Sequence, residues 1–166
     1  LPWQQEAWRS LNARLSEGRL PHALLITGEP GLGKALMATA FAKLALCRTP
    51  QAGAACGTCN PCAQFAAGSH PDYQRVAVEE ERSSISVEQV RELIADLQLK
   101  SGHGGRKVAL IEPAEAMSVA AANSLLKTLE EPPADTLLVL VTAAPGRLPA
   151  TVRSRCQTLA LAAPAA

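Results

Sequence analysis

The segment Gly28-Glu29-Pro30-Gly31-Leu32-Gly33-Lys34-Ala35 restricts this chain more than any other feature. It lies between a short apolar run, Ala23–Thr27, and an Ala- and Leu-rich stretch over 35–46. A short apolar run bounded by a Gly-rich turn reads as a buried strand, and the stretch after it reads as a helix. The phosphate-loop pattern is Gly, four residues, Gly-Lys, then Ser or Thr. Gly28, Gly33 and Lys34 match it. Gly28, Gly31 and Gly33 let the backbone fold so that its N–H groups face a phosphate, and the helix N-terminus adds partial positive charge there. Lys34 reaches the outer phosphates. The bland alternative, a strand-to-helix turn with an incidental Lys, leaves the strand and helix context unexplained. Position 35 departs from the pattern. A Ser or Thr hydroxyl there would hold Mg²⁺, and Ala35 has none.

Hydrolysis also needs a carboxylate on a neighbouring strand for the metal and a second one to orient water. The apolar run 108–111 continues into Glu112-Pro113-Ala114-Glu115. Glu112 stands at the metal-side position. Pro113 stands where the water-orienting Glu belongs, and proline has neither a carboxylate nor a backbone N–H. Glu115, three residues beyond Glu112, is not expected to fill the gap. Ala35 and Pro113 point the same way, to a domain that does not hydrolyse ATP and binds it weakly or not at all.

The rest of the chain repeats the alternation of helix and strand. Trp3, Ala7, Trp8, Leu11 and Leu15 fall at helical spacing over 3–17, with Gly18 as a stop. A Cys-, Gly- and Pro-rich loop follows the second helix to about position 61. A strand is expected over 73–78, and Ser86-Val87-Glu88-Gln89 is a capping box that opens a helix to about 99. After a turn at 102–105 comes the strand 108–111. A helix capped by Ser118 then runs to 131, where Pro132 and Pro133 end it. The strand 137–141, a basic segment over 147–155 and a final strand over 157–161 complete the chain. Such an order implies an α/β three-layer sandwich with a central parallel sheet covered on both faces. At 166 residues the chain suffices for one domain, and with 3% aromatics its core must be Leu, Val, Ile and Ala.

Cys47, Cys56, Cys59 and Cys62 have the spacing C-x8-C-x2-C-x2-C. Four thiolates so close, with Gly57, Asn60 and Pro61 to form the turns, suit a tetrahedral structural Zn²⁺ with no open position for substrate. Disulfides or unpaired thiols are the alternative, disfavoured in a cytosolic chain. Four sulfurs leave no need for His70 as a ligand. His22 and His103 read as ordinary loop histidines, and Cys156 as a packed thiol. A net charge of +1 argues against a zinc-dependent module that binds nucleic acid by charge alone. No apolar run reaches the roughly 18 residues of a membrane span. The start, Leu1-Pro2-Trp3, lacks a signal-peptide pattern, and the Ala- and Pro-rich end reads as a linker. The expectation is a piece of a longer cytoplasmic protein.

Several of these segments occur together in one family. The order is His22-Ala23-Leu24-Leu25-Ile26, the Gly28 to Lys34 loop, the four-cysteine insert, Leu125-Leu126-Lys127-Thr128-Leu129-Glu130-Glu131-Pro132-Pro133, then Ser154-Arg155-Cys156. In these residues the chain resembles the clamp-loader branch of the AAA+ ATPases, over essentially its whole length. The resemblance implies a P-loop, RecA-like AAA+ domain over 1–162 with a zinc-binding insert over 47–62. Residues 163–166 would begin a linker to a lid domain. It implies a subunit of the bacterial DNA polymerase III clamp loader, a pentamer that opens a ring-shaped sliding clamp and places it on primed DNA. Gamma/tau and delta subunits would be its partners, and no membrane is involved. Gamma/tau subunits keep Lys-Thr in the loop and Asp-Glu after the strand. This chain has neither, so the active gamma/tau type of ATPase is the less favoured reading, and no ATPase or polymerase activity is expected of the domain itself. By motif match, Arg155 would be the arginine finger for a neighbouring ATP site, where a planar, permanently charged guanidinium stabilises the transferred phosphoryl group. The alternative for Arg155 is an ordinary ion pair. Thr142 matches the sensor position at the end of its strand. Arg153 reads as an exposed charge, and Lys127 with Glu130 as an i,i+3 helix-surface pair.

Overall fold

The structure, a computed structural model, describes residues 1–165. Ala166, the last residue of the expected linker, lies outside the described residues. The helices are α1 (Gln5–Ser16), α2 (Lys34–Leu46), α3 (Asn60–Ala66), α4 (Val87–Leu97), α5 (Val119–Glu130) and α6 (Ala150–Arg153). The strands are β1 (Ala23–Thr27), β2 (Tyr73–Val76), β3 (Lys107–Ile111), β4 (Thr136–Thr142) and β5 (Gln157–Ala160). All five strands are parallel, in the order β2-β3-β4-β1-β5.

The apolar runs are continuous because the central strands are covered on both faces. Every residue of β1, β3 and β4 is buried. Alternation then divides the side chains between two layers. Leu24, Ile26, Val108, Leu110, Leu137, Val139 and Val141 face α1 and α2. Leu25, Ala109, Ile111, Leu138 and Leu140 face α4, α5 and α6. Phe41 of α2 is fully buried and meets the edge of Trp8 from α1, with ring centroids 6.1 Å apart. Few aromatics suffice because small Ala residues let the helices approach the sheet closely.

Helix starts follow the side chains that satisfy free backbone donors. At α4 the capping box is complete. Gln89 N donates to Ser86 Oγ at 3.2 Å, and Ser86 N donates to Gln89 Oε1 at 3.0 Å. At α5, Ala121 N donates to Ser118 Oγ at 3.1 Å. Helices α3 and α6 were not expected from the sequence. Pro61 sits in the first turn of α3, where its missing N–H costs nothing, and α6 is too short to show a period. The first helix also begins differently. Pro2–Gln4 form a 3-10 turn, and α1 starts only at Gln5.

Candidate functional site

The phosphate loop connects the end of β1 to α2, at the sheet's carboxyl edge between β4 and the edge strand β5. Gly28, Gly31 and Gly33 have φ of +153°, +84° and +75°. Gly33 has a second reason to be glycine. A Cβ there would lie 2.9 Å from Gln4 Nε2 and 2.9 Å from Leu1 Cδ1. The N-terminal turn packs onto the back of the loop. Gln4 Nε2 donates to the carbonyls of Leu32 (2.7 Å) and Gly33 (3.0 Å), and Trp3 Nε1 donates to that of Leu32 (2.9 Å). With their carbonyls held at the back, the loop peptides turn their N–H groups the other way.

In front of the loop is a cavity of about 360 Å³. Gly31, Gly33, Lys34 and Ala35 line it with Glu112, Pro113, Glu115 and Thr142. The tertiary structure thus brings together the loop and the end of β3, as the sequence expected, with Ala35 and Pro113 both at the cavity. Lys34 is buried, and its Nζ donates to the Glu29 carbonyl at 2.6 Å. Glu112 forms an ion pair with Arg75 at 3.2 Å. The sequence set Glu115 aside, but the turn at Ala114–Ala116 carries it into the cavity. Its Oε2 accepts the Thr142 hydroxyl at 2.6 Å, and Ala144 N donates to Thr142 Oγ1 at 3.0 Å. Thr142 therefore does more than end its strand. It ties β4 to the turn that follows β3.

Arg155 follows α6 and is tied to the end of α5. Its Nε donates to Glu130 Oε1 at 2.8 Å, its Nη2 pairs with the same oxygen at 2.5 Å, and its Nη1 donates to the Thr151 carbonyl at 2.7 Å. The intradomain ion pair weighed for Arg155 is therefore present. Its partner also corrects the sequence reading of Glu130, whose ion pair in the structure is with Arg155 and not with Lys127. Arg155 still keeps 32% of its side chain exposed, and Arg153 is exposed as expected. Cys156 is packed against the core, and burial pushes its thiol up to about 11.

The four cysteines converge. All their sulfurs lie within 4.8 Å of one another, with Cys47 and Cys59 at 3.9 Å and Cys56 and Cys62 at 4.0 Å. Zn–S bonds of about 2.3 Å in a tetrahedron put sulfurs roughly 3.8 Å apart, so the set fits a four-thiolate zinc. Backbone N–H groups aim at the sulfurs. Cys56 N donates to Cys47 Sγ at 3.3 Å, and Cys59 N to Cys56 Sγ at 3.3 Å. Hydrogen bonds from the Thr49 side chain and from Thr58 and Cys59 hold the Cys56 thiol down at about 5, whereas burial pushes Cys62 up to about 12.

His70 is outside the cluster, as expected, but it is not idle. It is buried, and its Nδ1 accepts from Asp72 N at 3.0 Å. Burial lowers its pKa, against the pull of Asp72. Asp72, which the sequence reading passed over, accepts from Ser101 Oγ (2.7 Å), Gly102 N (2.7 Å) and His103 N (3.1 Å). Burial alone would raise its pKa, yet these donors hold its carboxyl below the usual range. His103 bridges Arg48 (3.1 Å) and Gln64 (2.5 Å), joining the insert to the turn before β3. His22 Nε2 contacts the Leu129 carbonyl at 3.0 Å. No local signal pointed to the Asp72 knot, because its donors lie 29 to 31 residues further along the chain.

Comparison with known proteins agrees with this arrangement. A Thermotoga maritima gamma subunit-related protein of DNA polymerase III superposes with a TM-score of 0.70 at 21% identity, over 95% of this chain and 46% of that one. The Thermotoga maritima RuvB Holliday junction branch migration motor superposes with a TM-score of 0.54 at 18% identity, over 96% of this chain and 43% of its own. At these identities the likeness is one of fold, the AAA+ P-loop type. The DNA polymerase III subunit delta' of Pseudomonas aeruginosa is 47% identical over 99% of this chain and 49% of its own length. That of Escherichia coli is 43% identical over 98% and 49%. The tau subunit of Salmonella typhimurium is 37% identical over 92% of this chain and 23% of its own length. The chain spans about half the length of the delta' relatives it matches. The family described as "DNA polymerase III, delta subunit" matches residues 3–165, so the chain belongs to that family.

Proposed function

We propose that this chain is the ATPase-like module of a delta'-type clamp-loader subunit. It does not hydrolyse ATP itself, and it supplies Arg155 to the ATP site of a neighbouring gamma/tau subunit. The module spans 1–162, with 163 onward leading toward a lid domain. Partners are the gamma/tau and delta subunits and, through the assembled loader, the sliding clamp and primed DNA. The observation that carries the reading is the make-up of the loop cavity. Lys34 and the glycines Gly28, Gly31 and Gly33 are in place, but Ala35 offers no hydroxyl for Mg²⁺ and Pro113 no carboxylate for water. Arg155 supports the second half. It follows a short helix, is partly exposed, and is held at Nε and Nη1 rather than left to swing.

The Arg155 assignment is tested in a reconstituted loader. Arg155→Ala should leave the complex assembled but lower DNA-stimulated turnover at the site it serves by about a thousandfold or more, the range for arginine fingers. Unchanged turnover would remove the assignment. Turnover by the isolated chain, abolished by Lys34→Ala, would instead make it an active ATPase of the gamma/tau type.

Cys47, Cys56, Cys59 and Cys62 would hold a structural Zn²⁺, whose four bonds leave no place for substrate. Elemental analysis should return about one zinc per chain in freshly reduced protein. The compartment that fits such a protein is the cytoplasm, and no helix among the described residues is long and apolar enough to cross a membrane.

A further inference from the structure

Glu130 is the last residue of α5, where unpaired carbonyls give a helix a partial negative charge. A carboxylate there is disfavoured by the helix itself, and Glu131 adds a second one directly after it. Lys127 is the cation that the last turn favours, yet it pairs with neither of them among the described residues. What Glu130 has instead is Arg155, 25 residues further along the chain. The helix gives no reason for an acid at position 130; the arginine does.

The two side chains stand on one packed layer. Leu129, beside Glu130, and Val152, shortly before Arg155, are buried in the same apolar cluster, against which Cys156 also packs. Arg155 N donates to the Val152 carbonyl at 3.1 Å, so the backbone at 155 is fixed by α6. The guanidinium is then fixed by its own bonds. Nε and Nη2 both reach Glu130 Oε1, and Nη1 reaches the Thr151 carbonyl and, at 3.4 Å, Ser154 Oγ. Every guanidinium nitrogen is thereby engaged, and Nη2 keeps one N–H for an acceptor beyond this chain, on a side chain still 32% exposed. Thr151 and Ser154 belong to α6 and its end, so they move with Arg155. Among the described residues, Glu130 alone ties the guanidinium to a different element, and so it sets the direction of the arginine relative to the rest of the domain.

We infer that Glu130 is a positioning residue for Arg155: its carboxylate holds the guanidinium in one direction, so that the arginine meets the neighbouring subunit's ATP site already aimed. The inference rests on the reading of Arg155 as the arginine finger. A long side chain ordered beforehand loses less freedom when it engages its target, and a small misplacement of a group at a reacting centre lowers the rate steeply. Glu130 is 51% exposed, so removing the pair takes little from folding.

The test uses the full-length subunit in a reconstituted loader and follows DNA-stimulated ATP turnover at the site that Arg155 serves. Glu130→Ala should lower kcat about tenfold and leave KM for ATP unchanged, because the ATP is held by the other subunit. Glu130→Gln keeps an acceptor oxygen at the same reach and should lose less than Glu130→Ala. Adding Glu130→Ala to Arg155→Ala should cost nothing further, since the pair acts as one unit. A kcat within about threefold of the unaltered loader, a raised kcat, a change in KM alone, an equal loss in Glu130→Gln, or a further loss in the double variant overturns the inference. Each of these leaves the reading of Arg155 standing as long as Arg155→Ala itself lowers turnover; unchanged turnover in Arg155→Ala removes both.

Discussion

At the residue scale, the four cysteines show how environment divides one chemical type into two. Cys56, held by N–H and hydroxyl donors, is down at about 5 and ionised at neutral pH, while burial keeps Cys62 protonated, at about 12. Zinc must displace the proton of Cys62, so the bound state carries fewer protons than the free one and acid opposes binding. Zinc affinity, measured by competition with a chromophoric chelator, should therefore be weaker at pH 6 than at pH 8 by at least about tenfold. Equal affinities would mean that no ligand proton is released. The residue types and spacing made this site legible in the sequence. Glu115 was not legible. Three residues past Glu112 it looked out of reach, and only a turn at Ala114–Ala116, with Thr142 arriving from another strand, put it at the cavity.

At the scale of elements, caps and ties between helix and strand ends hold the layers in register. Ser86→Ala would remove the side-chain half of the α4 capping box and should cost about 1 kcal/mol in chemical denaturation. Lys107 is the stronger case. It is 5% exposed, and its Nζ donates to the carbonyls of Asp96 (2.5 Å) and Leu99 (3.3 Å) at the end of α4. Lys107→Met keeps the stem but strands those acceptors, and should cost about 1–3 kcal/mol. A loss under half that would mean water replaces the amine. Helices α4 and α5 were readable because their caps and periods are local. Helices α3 and α6 were not, since the first forms around converging cysteines and the second is a single turn.

At the scale of the molecule, the insert and the sheet are linked chiefly by polar contacts. Asp72 gathers the turn at Ser101–His103, and His103 reaches Gln64 and Arg48. The two apolar layers on either side of the sheet draw little from 47–66, Phe65 and Cys62 aside. Chelating the metal should therefore loosen the insert before the sheet. Hydrogen exchange would show faster exchange across 47–66, with β1, β3 and β4 still protected. Simultaneous loss of protection in β4 would show that the insert supports the whole fold.

The sequence by itself determined the parallel sheet, the glycine loop with its missing hydroxyl, the four-sulfur set and the caps. Each depends on residues close together in the chain, where spacing acts directly through backbone geometry. Only the tertiary structure decided the partners. Gln4 lies behind the loop, Glu115 meets Thr142, Arg155 meets Glu130, and Asp72 meets the turn before β3. These pairs join segments roughly 25 to 30 residues apart, and which side chains meet at that separation depends on how the layers pack, which no local period records.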